Sequence, residues 1–157
     1  MLHRSQKISV IISMALIFLL LLALFFIAYF LPGIVNSLIE TNDMIGNRQA
    51  MSENQKLFVL VDAYCMIAVA FVAAVLLYFL LFIILKGRVF SKSTARLLSA
   101  ISWCCFAITL LSALLLGFFQ LASFLGIGTA FVGLCLRIVK HVIEEATRIK
   151  AENDFTI

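Results

Sequence analysis

Residues able to do chemistry are few in this chain, and they are scattered. The two histidines, His3 and His141, sit at opposite ends of the sequence, and all four cysteines (Cys65, Cys104, Cys105 and Cys135) fall inside apolar runs. Catalysis needs a nucleophile with a base in reach, or a metal cluster. No HExxH, GxSxG, Walker-type or dinucleotide-binding glycine pattern occurs, and Gly126-Ile-Gly128 is a lone pair that helix packing explains. An intramembrane aspartyl protease would need two mid-membrane acids, whereas Asp62 is the one acid within an apolar run. Neighbouring Cys104 and Cys105 would project about 100° apart on a helix and cannot share a closed site, so the cysteines read as small buried hydrophobes. The expectation is a non-enzyme with no catalytic residue, no cofactor and no metal site.

The elements that must position these residues are membrane spans. With 64% hydrophobic and only 13% charged residues over 157 positions, and a mean hydropathy of +1.17, the chain cannot cover the surface of a soluble domain, which carries roughly a quarter charged residues. Its apolar residues come in blocks long enough to cross a bilayer. The first run, 8–31, follows Arg4 and Lys7 but is too long for a signal-peptide core and lacks an Ala-x-Ala site, so it is expected to be retained. Pro32-Gly33 is expected to end it. The second span is 57–85. The stretch Leu97–Leu136 holds no charge and is twice the length of a span, so it must be a hairpin with its turn near Gly117–Ala122. This gives spans of 97–116 and 121–139. The predicted fold is all-α: a single polytopic domain of four transmembrane helices in a bundle, with an outer loop at 32–56, a cytosolic loop at 86–96 and a cytosolic helical extension at 140–153.

Charge sets the expected orientation. Arg4, Lys7, Lys86, Arg88, Lys92, Arg96, Arg137, Lys140, Arg148 and Lys150 fall in alternate segments, while the first loop has only Arg48 and Lys56, offset by acids. The positive-inside rule then places both termini and the second loop in the cytoplasm, with the chain multi-pass in the plasma membrane. The formal net charge of +4 is read as topology-setting, with no direct nucleic-acid binding.

Small residues mark expected helix contacts, because lipid gives little hydrophobic drive for association. The third span carries Ala95, Ser99, Ser102, Cys105, Thr109 and Ser112 on one stripe. The second has Ala63, Ala70 and Ala74, and the fourth has Ala122, Gly126, Ala130 and Gly133. Ser102, Thr109, Gly126, Ala130 and Gly133 are the candidate packing residues, and these three faces are expected to meet. The first span, nearly all Leu, Ile and Phe, should be the most lipid-exposed. Asp62 is expected at the outer rim, paired with Arg48 or Lys56, the alternative being a functional polar site. The hairpin motif Gly126-x-x-x-Ala130 also fits a homo-oligomer contact.

Three segments could carry function. The outer loop is read as a solvated connector or as a contact for an extracellular peptide. The basic second loop suits anionic headgroups, with Ser91 or Ser93 capping the next helix. In the tail, Ile138, Val142, Ala146 and Ile149 form an apolar stripe with charges on other faces, and Glu144 and Arg148 stand in the favourable i,i+4 order. The fourth helix should therefore continue as an amphipathic rod to about Asn153, either packed on the bundle base or the headgroups or serving as a docking helix for a cytosolic partner. The candidate interaction surface is Lys86, Arg88, Lys92, Arg96, Lys140, Glu144, Arg148, Lys150, Asn153 and Asp154.

The ending Ile149-Lys150-Ala151-Glu152-Asn153-Asp154-Phe155-Thr156-Ile157 and the Val89-Phe90-Ser91 segment before the third span resemble a family of small four-span bacterial membrane proteins, common in Firmicutes and classed as a domain of unknown function. Its members typically end in Ile-Lys-x-Glu-Asn-Asp-Leu-Thr-Ile or Val, and here Phe155 replaces the usual Leu. Genes of that family often adjoin one for a small helix-turn-helix regulator, so the resemblance implies a membrane partner for such a protein. The leading expectation is a regulatory or docking protein whose partners are the lipid bilayer and a small helix-turn-helix regulator or another membrane protein. The alternatives are immunity to a membrane-active peptide and an accessory subunit of a transporter.

Overall fold

The computed structural model describes residues 4–46, 52–86 and 92–154. They form four long helices: α1 (Arg4–Gly46), α2 (Glu53–Leu85), α3 (Lys92–Leu114) and α4 (Leu121–Asp154). A 3-10 turn over Leu115–Gly117 joins α3 to α4. No strand occurs among the described residues. Each helix is long and apolar enough to cross a membrane, over Val10–Thr41, Glu53–Leu85, Ser93–Gly117 and Ala122–Ile149.

The first helix departs from the sequence expectation. Pro32 lies inside it and does not end it. Proline removes one N–H and crowds the carbonyl four residues earlier. In apolar surroundings, however, the remaining backbone groups have no partner outside a helix, so the helix persists. Packing holds the far side in register: Leu31, Val35 and Ile39, one turn apart, are buried in a cluster with Val59 of α2 and Leu115 of the hairpin turn. The expected outer loop 32–56 thus shrinks to the segment between Gly46 and Glu53. At 43 residues, α1 is about 65 Å long, roughly twice the hydrocarbon thickness.

Local signals explain the other ends. Before α2, the Ser52 N–H donates to Gln55 Oε1 at 3.0 Å, closing half of a capping box, and Glu53 supplies an acid in the first turn. Its far end is closed by the Lys86 N–H donating to the Phe82 carbonyl at 3.3 Å, with Lys86 Nζ 4.4 Å from the Phe82 ring centroid. The hairpin is sealed by Phe118 and Phe119 N–H groups on the Leu115 carbonyl, at 2.9 and 2.8 Å. Ser123 Oγ then donates to the Gln120 carbonyl at 2.7 Å, at the start of α4. α3 begins at Lys92, earlier than the predicted end of the second loop, so Ser93 is inside the helix. Ser91 lies outside the described residues.

Helices pack chiefly on their sequence neighbours: α1 on α2, α2 on α3, and α3 on α4. The bundle has two apolar clusters. One, at the hairpin end, gathers α1, the start of α2 and the turn around Leu31, Val35, Ile39, Val59 and Leu115. The other, at the opposite end, gathers Leu80 of α2 with Leu98 and Ile101 of α3, and Leu136 and Ile143 of α4 pack against it. α1 has the smallest buried share of the four spans and α3 the largest. The expected meeting of the small faces of α2, α3 and α4 is therefore realised mainly between α3 and α4. α4 joins the clusters that α2 helps to build through Ala122 at the first and through Leu136 and Ile143 at the second.

Candidate functional site

The α3–α4 interface is built from the small residues of both helices. Ser102 is fully buried, with 0% exposure, and its hydroxyl donates to the Gly133 carbonyl of α4 at 3.0 Å. Thr109 Oγ1 bonds back to the Cys105 carbonyl at 2.9 Å. It also lies 3.0 Å from Thr129 Oγ1 and 3.4 Å from the Gly126 carbonyl. Ser112 Oγ donates to the Thr109 carbonyl at 2.8 Å. Glycine is required twice by close approach. A Cβ on Gly126 would lie 2.6 Å from Ser112 Oγ, and one on Gly133 would lie 3.2 Å from Cys105 Cβ. Ala130 lines an open groove of about 260 Å³ with Thr109, Ser112, Ala122 and Gly126. Ser102, Thr109, Ser112 and Thr129 each have a carbonyl or a hydroxyl to bond, so these side chains hold the hairpin together.

Asp62 is placed differently from its expectation. Its side chain is buried, at 5% exposure, and Oδ2 has no hydrogen-bond partner among the described residues. Lys56, one of its expected partners, is instead 3.1 Å from Glu53 Oε1. Lys56 and Glu53 are neighbours at i,i+3 at the start of α2, so the ammonium is satisfied in its own turn. Arg48, the other expected partner, lies outside the described residues. An acid buried within a span is a functional-site hypothesis by default.

The expected interaction surface is partly described. Lys86 and Arg96 are exposed at the ends of α2 and α3. Lys92 opens α3, while Lys150, Asn153 and Asp154 lie in the last two turns of α4. Arg88 lies outside the described residues, as does the end of the chain beyond Asp154. On α4 the expected Glu144–Arg148 pair is not made. Glu144 is taken by Lys140 at 3.5 Å and faces His141 at 3.6 Å. Arg148 bonds Glu145 at 2.6 Å and approaches Glu152 at 3.8 Å. Glu145 and Glu152 flank Arg148 at i−3 and i+4, so the arginine has closer choices than Glu144.

The rod is packed on the bundle at its base, one of the two arrangements expected of it. Ile143 packs on the cluster formed by Leu80, Leu98 and Ile101, because α3 starts far enough back to run beside it. The opposite face stays open: Ile138, Val142 and Ile149 are exposed. A further contact carried no sequence signal. The Arg137 guanidinium lies 5.0 Å from the Trp103 ring centroid and 5.4 Å from that of Phe106. Both helices aim long side chains toward their own N-termini. Because α3 and α4 are antiparallel, the arginine and the tryptophan therefore lean toward each other. No group of three or more His, Cys, Asp or Glu that could hold a metal ion exists among the described residues.

Four long apolar helices, with polar groups gathered at their ends and in the α3–α4 seam, define a multi-pass α-helical membrane protein. The chain belongs to the DUF2975 family, described as a protein of unknown function, whose model matches residues 42–157. That range takes in the end of α1 and everything after it. Neither the curated proteins nor the solved structures include a match to this chain.

Proposed function

We propose that this chain is a non-enzymatic regulatory or docking protein of the bacterial plasma membrane. It acts through the Lys86–Lys92 connection and the second half of α4, with both termini in the cytoplasm. The observation that carries the reading is the split character of α4 past the apolar run. One face, through Leu136 and Ile143, packs on the bundle. The other leaves Val142 and Ile149 exposed by 63% and 50%, beside charges paired along the helix. An amphipathic helix held rigidly at its base, with a narrow apolar stripe outward, suits a helix-in-groove or helix-on-helix partner. The sorting of basic residues supports a cytoplasmic location for that stripe. The implied partner is a small helix-turn-helix regulator or another membrane protein.

The test is co-purification from native membranes with the chain intact and with Glu144–Ile157 deleted. Loss of the partner on deletion is expected, and unchanged recovery removes the reading.

A second reading, immunity to a membrane-active peptide, is favoured by a different feature. The end of α1 presents Ile34 and Leu38 on an exposed helical face. Under it, substitutions within Ile34–Ile45 abolish protection while tail deletion does not.

A further inference from the structure

Arg137 and Arg96 are the exposed cations that the proposed docking stripe leaves unused. The Arg137 guanidinium lies within cation–π distance of Trp103 and Phe106, and Trp103 itself is 61% exposed. Arg96 precedes Trp103 on α3 by two helical turns, so both fall on one face of that helix. Arg96 is exposed as well. None of the ion pairs among the described residues uses either arginine. The sequence explains why: no Asp or Glu occurs between Asp62 and Glu144, while Lys86, Arg88, Lys92, Arg96, Arg137 and Lys140 all lie in that interval. Lys140, one turn beyond Arg137, already has Glu144 at 3.5 Å.

This arrangement has the parts of a headgroup site. Arg96 immediately precedes and Arg137 immediately follows the uncharged stretch Leu97–Leu136 that folds into the hairpin. Cation–π attraction to the two rings holds the guanidinium in place, and no ion pair among the described residues takes up its N–H edge. That edge presents a rigid fork that matches a phosphate oxygen pair, which a lysine ammonium would not. Trp103 lies about 10 Å further along α3 than Arg96, so its ring carries this face from the charged margin into the apolar span Ser93–Gly117. We propose that the α3–α4 face formed by Arg96, Trp103, Phe106 and Arg137 binds the phosphate of an anionic phospholipid headgroup, with an acyl chain lying along Trp103. The site needs no docking partner and stands whether or not the tail helix has one.

Trp103 is the chain's single tryptophan, so its fluorescence reads this face alone. The full chain is reconstituted into mixed phosphatidylglycerol and phosphatidylcholine vesicles, with bromine on the acyl chains of one lipid or the other. Brominated phosphatidylglycerol should quench Trp103 more strongly than brominated phosphatidylcholine at equal mole fraction. The ratio of the two cancels any change in intrinsic fluorescence. The preference should fall about fivefold in Arg137→Gln and by a similar factor in Arg96→Gln, the equivalent of ~1 kcal/mol for each basic group near a membrane surface. Lys56→Gln, at the other end of α2, should retain the full preference. Circular dichroism of each variant establishes that the helices are intact. Equal quenching by the two lipids in the unsubstituted protein overturns the proposal, as does a preference that survives in the Arg96→Gln/Arg137→Gln double variant or is lost equally in Lys56→Gln.

Discussion

Gly126 of α4 and Ser112 of α3 approach so closely that a methyl group on the glycine would lie 2.6 Å from the serine oxygen. The serine is pinned, because its hydroxyl donates to the Thr109 carbonyl at 2.8 Å. Its Cβ, by contrast, stands at an ordinary 3.7 Å from the same point. Gly126→Ala should therefore displace the Ser112 hydroxyl and cost about 1–3 kcal/mol, the range for overpacking a well-filled site. Ser112→Ala combined with Gly126→Ala should recover most of that loss. A double-mutant cycle on thermal unfolding in detergent measures the coupling, and additive effects would contradict this geometry.

Gly133 and Gly128 make a matched pair on the same helix. A Cβ at Gly133 meets Cys105 Cβ at 3.2 Å and the Phe106 ring at 3.5 Å, whereas one at Gly128 meets nothing within 4 Å. Gly128→Ala should raise stability by about 0.5–1 kcal/mol through helix propensity alone. Gly133→Ala gains the same propensity but must push α3 away, and should lower the unfolding temperature. Parallel melts of the two variants decide it.

Ser102 makes one hydrogen bond across the α3–α4 interface, to the Gly133 carbonyl. Bonds of this kind inside membrane bundles average about 0.6 kcal/mol. Ser102→Ala should thus be mild, because the carbonyl sits within a helix and is not left unpaired. Ser102→Leu should be severe, since the site is fully buried. A comparable loss in both variants would show that the hydrogen bond matters more than the space.

Asp62 should be a cost to the fold. Its Oδ2 is buried without a partner among the described residues. Replacing an unsatisfied buried polar group with a neutral or apolar side chain of similar size is commonly neutral or stabilising. Asp62→Asn and Asp62→Leu should both raise the unfolding temperature. A lowered temperature in both would mean that the carboxylate has a structural partner.

The tail offers a contrast within two adjacent residues. Val142 is exposed and Ile143 packs on the second apolar cluster. Val142→Asp should leave the melting temperature unchanged and weaken partner recovery. Ile143→Asp should lower the melting temperature, since the partly buried Ile143 gives up its apolar contact with the cluster of Leu80, Leu98 and Ile101 to a charge. Melts and pull-downs on the two variants separate the docking face from the packing face.

Much of this architecture is legible in the chain, because bilayer-length apolar runs admit little besides helices. The four spans, the hairpin near Gly117 and the helical continuation to Asp154 follow from run length, absence of charge and periodicity. Pro32 misleads because its penalty is local, whereas the burial of Leu31, Val35 and Ile39 that outweighs it is a tertiary event. The Glu144–Arg148 pair fails for a similar reason: several partners of suitable spacing compete on one helix, and side-chain geometry chooses among them.

By itself, the sequence determined that this protein lives in a membrane as four helices, since hydropathy and charge are properties summed over segments. Only the tertiary structure decided which atoms touch. Antiparallel α3 and α4 bring Ser112 against Gly126 and lay Arg137 over Trp103, at separations that no periodicity encodes. Their partners are set by the register between two helices, and that register is fixed by how closely small residues let the backbones approach.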